Sequence, residues 1–537
     1  MKLIENASAE KLRGGFYTPE KIAAFVLKWA INGSVNSDIL EPSCGDGVFI
    51  EQIKENNYQY NSVTGVEFDE IEAHKSDNIM LQNCTIINED FHKYCNNTEN
   101  RYDIIVGNPP YIRYQYFDVE QQNEAIKIFN KSGLKYSKLT NAWVSFVIGS
   151  SQLLKENGKI GFVLPAEILQ VSYAIQLREF LAKFYNKINI ISFEKLVFPD
   201  IQQEVVLLLC EKNETNKHQI NHLEVRDTEA LLKLDVSILK SPKKRIDIKN
   251  NKWTFYFLDQ EEIDFIEEIK SRKKLPTIGD YAKVEVGITT GSNDFFTVSK
   301  AIVDLFELKE FARPMVGRSV QVNSVIFSKQ DWENNQLTKA KSNLLVFPPN
   351  GALKNKEGAL KYIANGETLG INKGYKTGIR EDWYVVPSIK KSDALFIRRN
   401  NLYPRLIVNE AEAYTTDTMH RVNTKPNAEI KAFTASYYNS LSFAFAEIVG
   451  RSYGGGVLEL MPSEVEKILL PYNEAHSILL PEIDRMIRDK LDIDIILEYT
   501  DNILLKQTYG LTDIEISIAK RIWKKLSARR LNRNNKI

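Results

Sequence analysis

The four cysteines of this sequence, Cys44, Cys84, Cys95 and Cys210, are scattered, and no two of them form a CxxC pair. That excludes a dense disulfide framework, argues against a zinc site, and fits a reducing compartment. Net charge is missing too, with 70 Lys and Arg against 70 Asp and Glu. A neutral total still permits a nucleic-acid partner, because clustering of basic residues matters more than their sum. No apolar run is long enough to span a bilayer, and Met1-Lys2-Leu3-Ile4-Glu5-Asn6 does not read as a signal peptide. The expectation is a cytoplasmic chain with no membrane partner. No internal repeat, low-complexity tract or PD…ExK nuclease cluster stands out. What is present is an ordinary globular composition over 537 residues, 43% hydrophobic and 26% charged, room for two or three domains with large cores.

The most informative stretch is Asn108-Pro109-Pro110-Tyr111, at the end of the β-branched run Tyr102-Asp103-Ile104-Ile105-Val106-Gly107. That run reads as a buried strand, and two prolines end its ladder because they have no N–H to donate. In a parallel α/β sheet the end of a strand is where ligands bind. The chemistry that fits is attack by an amino group conjugated to a ring or carbonyl. Its lone pair is delocalised until both N–H bonds find acceptors and the nitrogen becomes tetrahedral. The Asn108 side-chain oxygen and the Pro109 carbonyl suit that task, and the Tyr111 ring suits stacking on a planar substrate. A plain Pro-Pro turn with a surface Tyr is the bland alternative.

Three more strand ends precede it. Thr18-Pro19-Glu20 reads as the capped start of a helix carrying Ile22, Phe25, Val26 and Trp29 on one face. Asp38-Ile39-Leu40-Glu41 then enters Pro42-Ser43-Cys44-Gly45-Asp46-Gly47, where Gly45 and Gly47 permit close approach of a ligand to the backbone. The turn is neither GxGxxG nor a P-loop. The second strand ends in Glu67, about 20 residues on, the usual place for an acid that grips ribose hydroxyls. The third leads into Asp90-Phe91, an acceptor for an adenine amino group followed by a ring to stack on it. After Tyr111, residues 112–140 interleave Tyr114, Tyr116, Phe117, Lys127, Lys131 and Lys138, which suits a lid or a nucleic-acid contact as well as a surface loop with one helix. A helix over 141–157, a strand over 158–165, a helix over 173–185 and two further strands bring the count to about seven by residue 212, with Val197-Phe198-Pro199-Asp200 in the last loop.

In this order the stretches resemble the gamma-class, TaqI-like N6-adenine DNA methyltransferases: Phe16-Tyr17-Thr18-Pro19, Glu41 to Gly47, Gly65-Val66-Glu67, Asp90-Phe91, Asn108-Pro109-Pro110-Tyr111 and Phe198-Pro199. The resemblance is dense over residues 10–212. It implies a Rossmann-like, seven-strand methyltransferase domain using S-adenosylmethionine, with no metal, followed by a mixed α+β target-recognition domain and a helical C-terminus. It implies that Tyr17, Thr18, Glu41, Ser43, Cys44, Gly45 and Gly47 face the methionine part of the cofactor. Glu67 would take its ribose, Asp90 and Phe91 its adenine moiety, and Pro110 the same cleft. Asn108 and Pro109 would accept from the N6 of the target adenine, Tyr111 would stack on one face of the flipped base, and Phe198 would pack on the other.

The expected domains are 1–240 catalytic, 241–474 target recognition and 475–537 helical and basic, with residues 213–250 as a polar linker. In the second, Gly287-Ile288-Thr289-Thr290-Gly291-Ser292-Asn293 is similar to the recognition domains of that class, and Arg313-Pro314, Trp383 to Pro387 and Gly450 to Leu460 look like further pieces. Arg and Asn read base edges, and small polar loops suit phosphates. Phe295 and Phe296 are expected to stand exposed beside them. From Lys520 onward the chain carries eight cations and no acid, a phosphate contact or a frayed basic helix end. The resemblance points to a bacterial or archaeal monomer acting on double-stranded DNA, alone or beside a restriction endonuclease for the same site. The alternatives are methylation of RNA adenine or protein glutamine, which share the weak nucleophile, and a non-catalytic DNA-binding subunit on the same fold.

Overall fold

The computed structural model describes residues 17–34, 36–112, 116–137, 140–198, 204–213, 215, 217–240, 244–247, 252–271, 275–453 and 456–532. Phe16, Tyr114, Lys138, Pro199, Asp200, Gly454, Gly455, Arg533 and Lys536 lie outside the described residues. Two compact units divide the chain after Ile263.

The first unit is built on β1 (Asp38–Glu41), β2 (Ser62–Glu67), β3 (Cys84–Asn88), β4 (Tyr102–Gly107), β5 (Leu154–Pro165), β6 (Lys187–Phe193), β7 (Val205–Glu211), β8 (Gln219–Val225) and β9 (Lys244–Arg245). They form one sheet in the order 3-2-1-4-5-7-6-8-9. β1 to β5 pair in parallel, and β7 runs antiparallel between β5 and β6. Near-continuous apolar runs such as Ile104-Ile105-Val106 and Val205 to Cys210 are buried, as strands covered on both faces require. The chain lays β1, β2 and β3 in one direction and then returns to place β4 on the other side of β1. That reversal opens a crevice at the carboxyl ends of β1 and β4. Around it stand α1 (Glu20–Ile31), α2 (Val48–Glu55), α3 (Glu70–Asp77), α4 (Phe91–Asn97), α5 (Val119–Lys131) and α6 (Trp143–Gln152).

Three expectations shift. Thr18 is not the cap of α1; Pro19 is, and its carbonyl accepts from the amides of Ile22 and Ala23. β5 starts at Leu154 rather than Gly158, because Lys155 is drawn into the sheet between Asp38 (2.6 Å) and Asp103 (2.8 Å), at the starts of β1 and β4. The expected linker 213–250 contains β8, which pairs along β6 from Lys187↔Gln219 to Phe193↔Val225, and β9 beside it. The sheet therefore has nine strands. The polar letters of β8 hid it: Asn221 and His222 are buried, and the His222 imidazole meets the Ser192 hydroxyl at 3.1 Å and packs on the ring of Phe257. This packing keeps the chain as far as residue 257 with the first unit.

The second unit holds three small sheets. β10 (Ala282–Val286), β18 (Met419–Thr424), β14 (Ala394–Ile397) and β16 (Leu406–Val408) form an antiparallel sheet. β11 (Thr297–Val298), β13 (Asn343–Leu345), β12 (Ala312–Val316) and β17 (Tyr414–Thr415) form another, and β15 (Arg399–Asn400), β20 (Val457–Glu459) and β19 (Arg451–Tyr453) the third. Gly287 leaves β10 where a Cβ would collide with the Thr416 carbonyl. Phe295, Phe296 and Trp383 are buried and packed ring against ring, so the aromatics of the glycine-rich segment hold the core instead of standing exposed. The helix Asp513–Asn532 belongs to this unit. Its basic residues are largely used internally: Lys520 and Lys524 pair with Asp494, and the fully buried Arg530 pairs with Glu447 at 2.6 Å. Arg530 is therefore a packing residue, its charge turned inward between helices.

Candidate active site

At the reversal of strand order lies a cavity of about 420 Å³. Its lining comes from the carboxyl ends of four strands and the turns beyond them: Glu41 to Asp46 at β1, Glu67 to Asp69 at β2, Glu89 to His92 at β3, and Asn108, Pro110 and Ile112 at β4. Tyr17 and Thr18 approach from the start of α1.

The β1 end is shaped by backbone. Gly45 and Gly47 have φ of +53° and +90°, values that L side chains rarely adopt. A Cβ on Gly47 would strike the Ile79 and Ser76 side chains. Four bonds hold this turn: the Gly47 amide donates to the Cys44 carbonyl (2.8 Å), the Cys44 amide to the Val66 carbonyl (3.0 Å), the Ser76 hydroxyl to the Gly45 carbonyl (2.7 Å), and the Gly45 amide to the Glu67 carboxylate (2.9 Å). The other Glu67 oxygen accepts from the Asp69 amide at 2.9 Å. Each oxygen keeps lone-pair capacity for one more donor, as a ribose grip needs.

Glu41 is only 3% exposed, and its Oε2 has no hydrogen-bond partner. Burial, then the nearby Asp46 and Glu67, push its carboxyl well above the usual value of 4.5. Burial likewise raises Asp46 and Glu67. A buried carboxylate oxygen with no partner, among other acids, calls for a cation. The ammonium and sulfonium of S-adenosylmethionine answer that requirement, so the donor set fits this cofactor. Cys44 lines the same wall, and burial pushes its thiol up, which leaves it a protonated, unreactive packing group.

The β3 end is aromatic around one acid. The Asp90 side chain caps α4, accepting from the amides of His92 (2.9 Å) and Lys93 (3.2 Å). It also faces the His92 imidazole at 3.1 Å and the Gln121 amide of α5 at 3.3 Å. Burial alone would raise this carboxyl; the hydrogen bonds from the His92 side chain, the Lys93 backbone amide and the Gln121 side chain outweigh it and hold Asp90 below the usual range. Phe91 stacks on Phe146 with centroids 4.8 Å apart, and His92 meets Phe117 and Phe146 edge-on.

At the β4 end Asn108 faces the cavity. Its Oδ1 accepts from the Tyr111 hydroxyl at 2.7 Å, which also lies 3.1 Å from the Val163 carbonyl. Ser43 donates to the Asn108 carbonyl at 3.3 Å, tying the β1 turn to the tetrapeptide. The Ala142 amide donates to the Ile112 carbonyl at 2.7 Å, which anchors the other side.

Tyr17, Thr18, Glu41, Ser43, Cys44, Gly45, Glu67, Asp90, Phe91, Asn108 and Pro110 thus share one cavity wall. Gly47 sits behind it as the residue preceding α2. Pro109 is buried and Tyr111 half-buried beside it, outside the lining. Phe198 is 4% exposed, belongs to the core cluster with Phe193 and Val205, and is not among the lining residues. Sequence reasoning missed His92, Gln121 and Phe146 as lining residues. Tyr116 and Phe117, which also line the cavity, stood in the stretch already singled out.

Two family models match. The Eco57I restriction-modification methylase model covers residues 25–198, and the C-terminal domain model of the Type II methyltransferase M.Eco57I covers residues 250–505. The Type II methyltransferase M.AccI of Acinetobacter calcoaceticus is 28% identical over 473 residues, 84% of each chain. M.HincII of Haemophilus influenzae is 27% identical over 227 residues, 42% of each chain. The Type II restriction enzyme and methyltransferase RM.Eco57I of Escherichia coli is 27% identical over 202 residues, 37% of this chain and 20% of that one. The two models follow one another along the chain, and the protein belongs to the Eco57I-type family of restriction-modification DNA methyltransferases.

Proposed function

We propose that this chain methylates the N6 amino group of adenine at a specific site in double-stranded DNA, as the modification activity of a restriction system or as a solitary methylase. S-adenosylmethionine supplies an electrophilic methyl group on its sulfonium. Glu41 holds the positive methionine end, Glu67 the ribose, and Asp90 with Phe91 the adenine moiety. The observation that carries the reading is Asn108: it directly follows β4 and lines the wall that Glu41, Glu67 and Asp90 also line.

The Asn108 oxygen and the Pro109 carbonyl accept the two N–H bonds of the target amine, freeing the lone pair for in-line attack, and one N6 proton then passes to solvent. The Tyr111 hydroxyl, 2.7 Å from Asn108 Oδ1, orients that amide. The target base must leave the duplex, because a paired N6 is out of reach. Positioning supplies much of the rate.

The test is methyl transfer from labelled S-adenosylmethionine to unmethylated genomic DNA, with Asn108→Ala beside the wild type and base-resolution mapping of the product. The expected result is N6-methyladenine in one short motif, lost in the variant. Labelling of RNA or protein in place of DNA overturns the substrate, and cofactor binding without any transfer overturns the activity.

A further inference from the structure

A second cavity, of about 490 Å³, lies within the second unit. It is formed where β12 ends at Gly317 and Arg318, where residues 339–341 approach β13, and where the turn of Thr416 and Thr418 joins β17 to β18. Asn293 and Asp294 close another side. Three cations, Arg318, Lys339 and Lys341, line it against one carboxylate. That carboxylate, Asp294, is taken by Lys341 at 2.6 Å, which with Arg318 nearby holds it below its usual range. Arg318 and Lys339 are exposed and form no ion pair among the described residues.

The loops that carry these cations are held from within. The buried Gln321 side-chain oxygen accepts from the amides of both Gly317 and Arg318 at 2.8 Å, while its amide donates to the Lys341 carbonyl at 3.3 Å. Arg405 donates to the carbonyls of Ser319 (3.0 Å) and Val322 (2.9 Å). Thr418 donates to the Gly317 carbonyl at 2.9 Å. A buried carboxamide and an arginine are thus spent on fixing two backbones that present unpaired positive charge at one concavity, which is how a binding constellation is preorganised.

We infer that this cavity is a contact for the phosphate backbone of duplex DNA, with Arg318 and Lys339 as its anion partners. The inference rests on the proposal above that DNA is the substrate. Two unpaired cations over hydroxyl and amide groups suit a polyanion, and neutralising phosphates releases counterions, so binding carries a salt signature.

The test is fluorescence anisotropy of the full chain with a short labelled duplex of mixed sequence, titrated from about 50 to 200 mM salt. It compares the wild type, Arg318→Ala/Lys339→Ala, and Lys329→Ala as an exposed cation of the same unit lying outside the cavity. Each phosphate contact contributes about 0.9 to the slope of log affinity against log salt. The double variant is expected to bind any duplex more weakly with a slope shallower by about one to two units, and Lys329→Ala to match the wild type. Unchanged affinity and slope in the double variant overturns the inference, while wild-type binding leaves the substrate reading intact. A loss confined to the methylated motif with slope unchanged also overturns it, in favour of base reading. Absence of duplex binding by the wild type sinks the substrate reading itself.

Discussion

The His92 imidazole stands 3.1 Å from the Asp90 carboxylate through Nδ1, and 2.6 Å from the Ser145 hydroxyl through Nε2. An ionised carboxylate only accepts, so Nδ1 carries the proton. Ser145 also lies 2.9 Å from the Ala142 carbonyl, and the Ala142 amide holds Ile112 just past the tetrapeptide. One buried line of contacts therefore runs from the acid assigned to the cofactor's adenine moiety to the loop assigned to the target base.

His92→Phe removes the imidazole bonds to Asp90 while keeping a ring in the pocket. A bond to a charged group contributes about 1.5–3 kcal/mol, so affinity for S-adenosylhomocysteine is expected to fall at least about tenfold, with the DNA affinity of the loaded enzyme unchanged. Calorimetric titration reads the first and anisotropy the second. Equal cofactor affinity in the variant and wild type would show that the contact with His92 does not position Asp90.

Glu41 links the site to pH. Its carboxyl, facing Asp46, Glu67 and the Cys44 thiol, lies above its ordinary value in the folded chain. The folded state then binds more protons than the unfolded one, and stability falls as pH rises from the ordinary value through the raised one. Glu41→Gln removes that penalty. The cofactor-free variant is expected to melt higher than the wild type at neutral pH, with the gap closing below about pH 4, and to lose about ten- to a hundredfold in cofactor affinity. Thermal melts across pH check the first, and an inverted gap would contradict it.

Gly47→Ala places a methyl group at φ +90° against Ile79 and Ser76. Strain of this kind costs about 1–3 kcal/mol. The urea midpoint should drop accordingly, and cofactor affinity should drop with it because the turn must shift. Gly33→Ala shares a positive φ but meets no atom within 4 Å, and serves as the comparison that isolates the collision.

Arg530 and Glu447 form a buried pair, and the Arg530 guanidinium also donates to the carbonyls of Gly456 and Asn401. Removing one partner strands the other charge, at about 3–5 kcal/mol. Arg530→Ala is expected to destabilise the chain by that order in chemical denaturation. Arg530→Met/Glu447→Gln should be much less damaging, since neither charge is then left alone.

The sequence by itself determined the catalytic sheet and most of the cavity wall. Strand ends are local: the Gly45–Gly47 turn, Glu67, Asp90 and Asn108 each follow an apolar run, and parallel strands bring all such ends to one edge. It determined little of what folds over that edge. His92, Gln121 and Phe146 come from helices whose facing depends on packing, and Phe198 lies buried in the core cluster on which Tyr111 also packs. β8 escaped because its buried His222 finds its partners, Ser192 and Phe257 among them, elsewhere in the unit. Arg530 looked like solvent-facing charge until Glu447, 83 residues away, neutralised it. Charge and polarity are read from letters as exposure, and only long-range partners, which tertiary structure supplies, can reverse that.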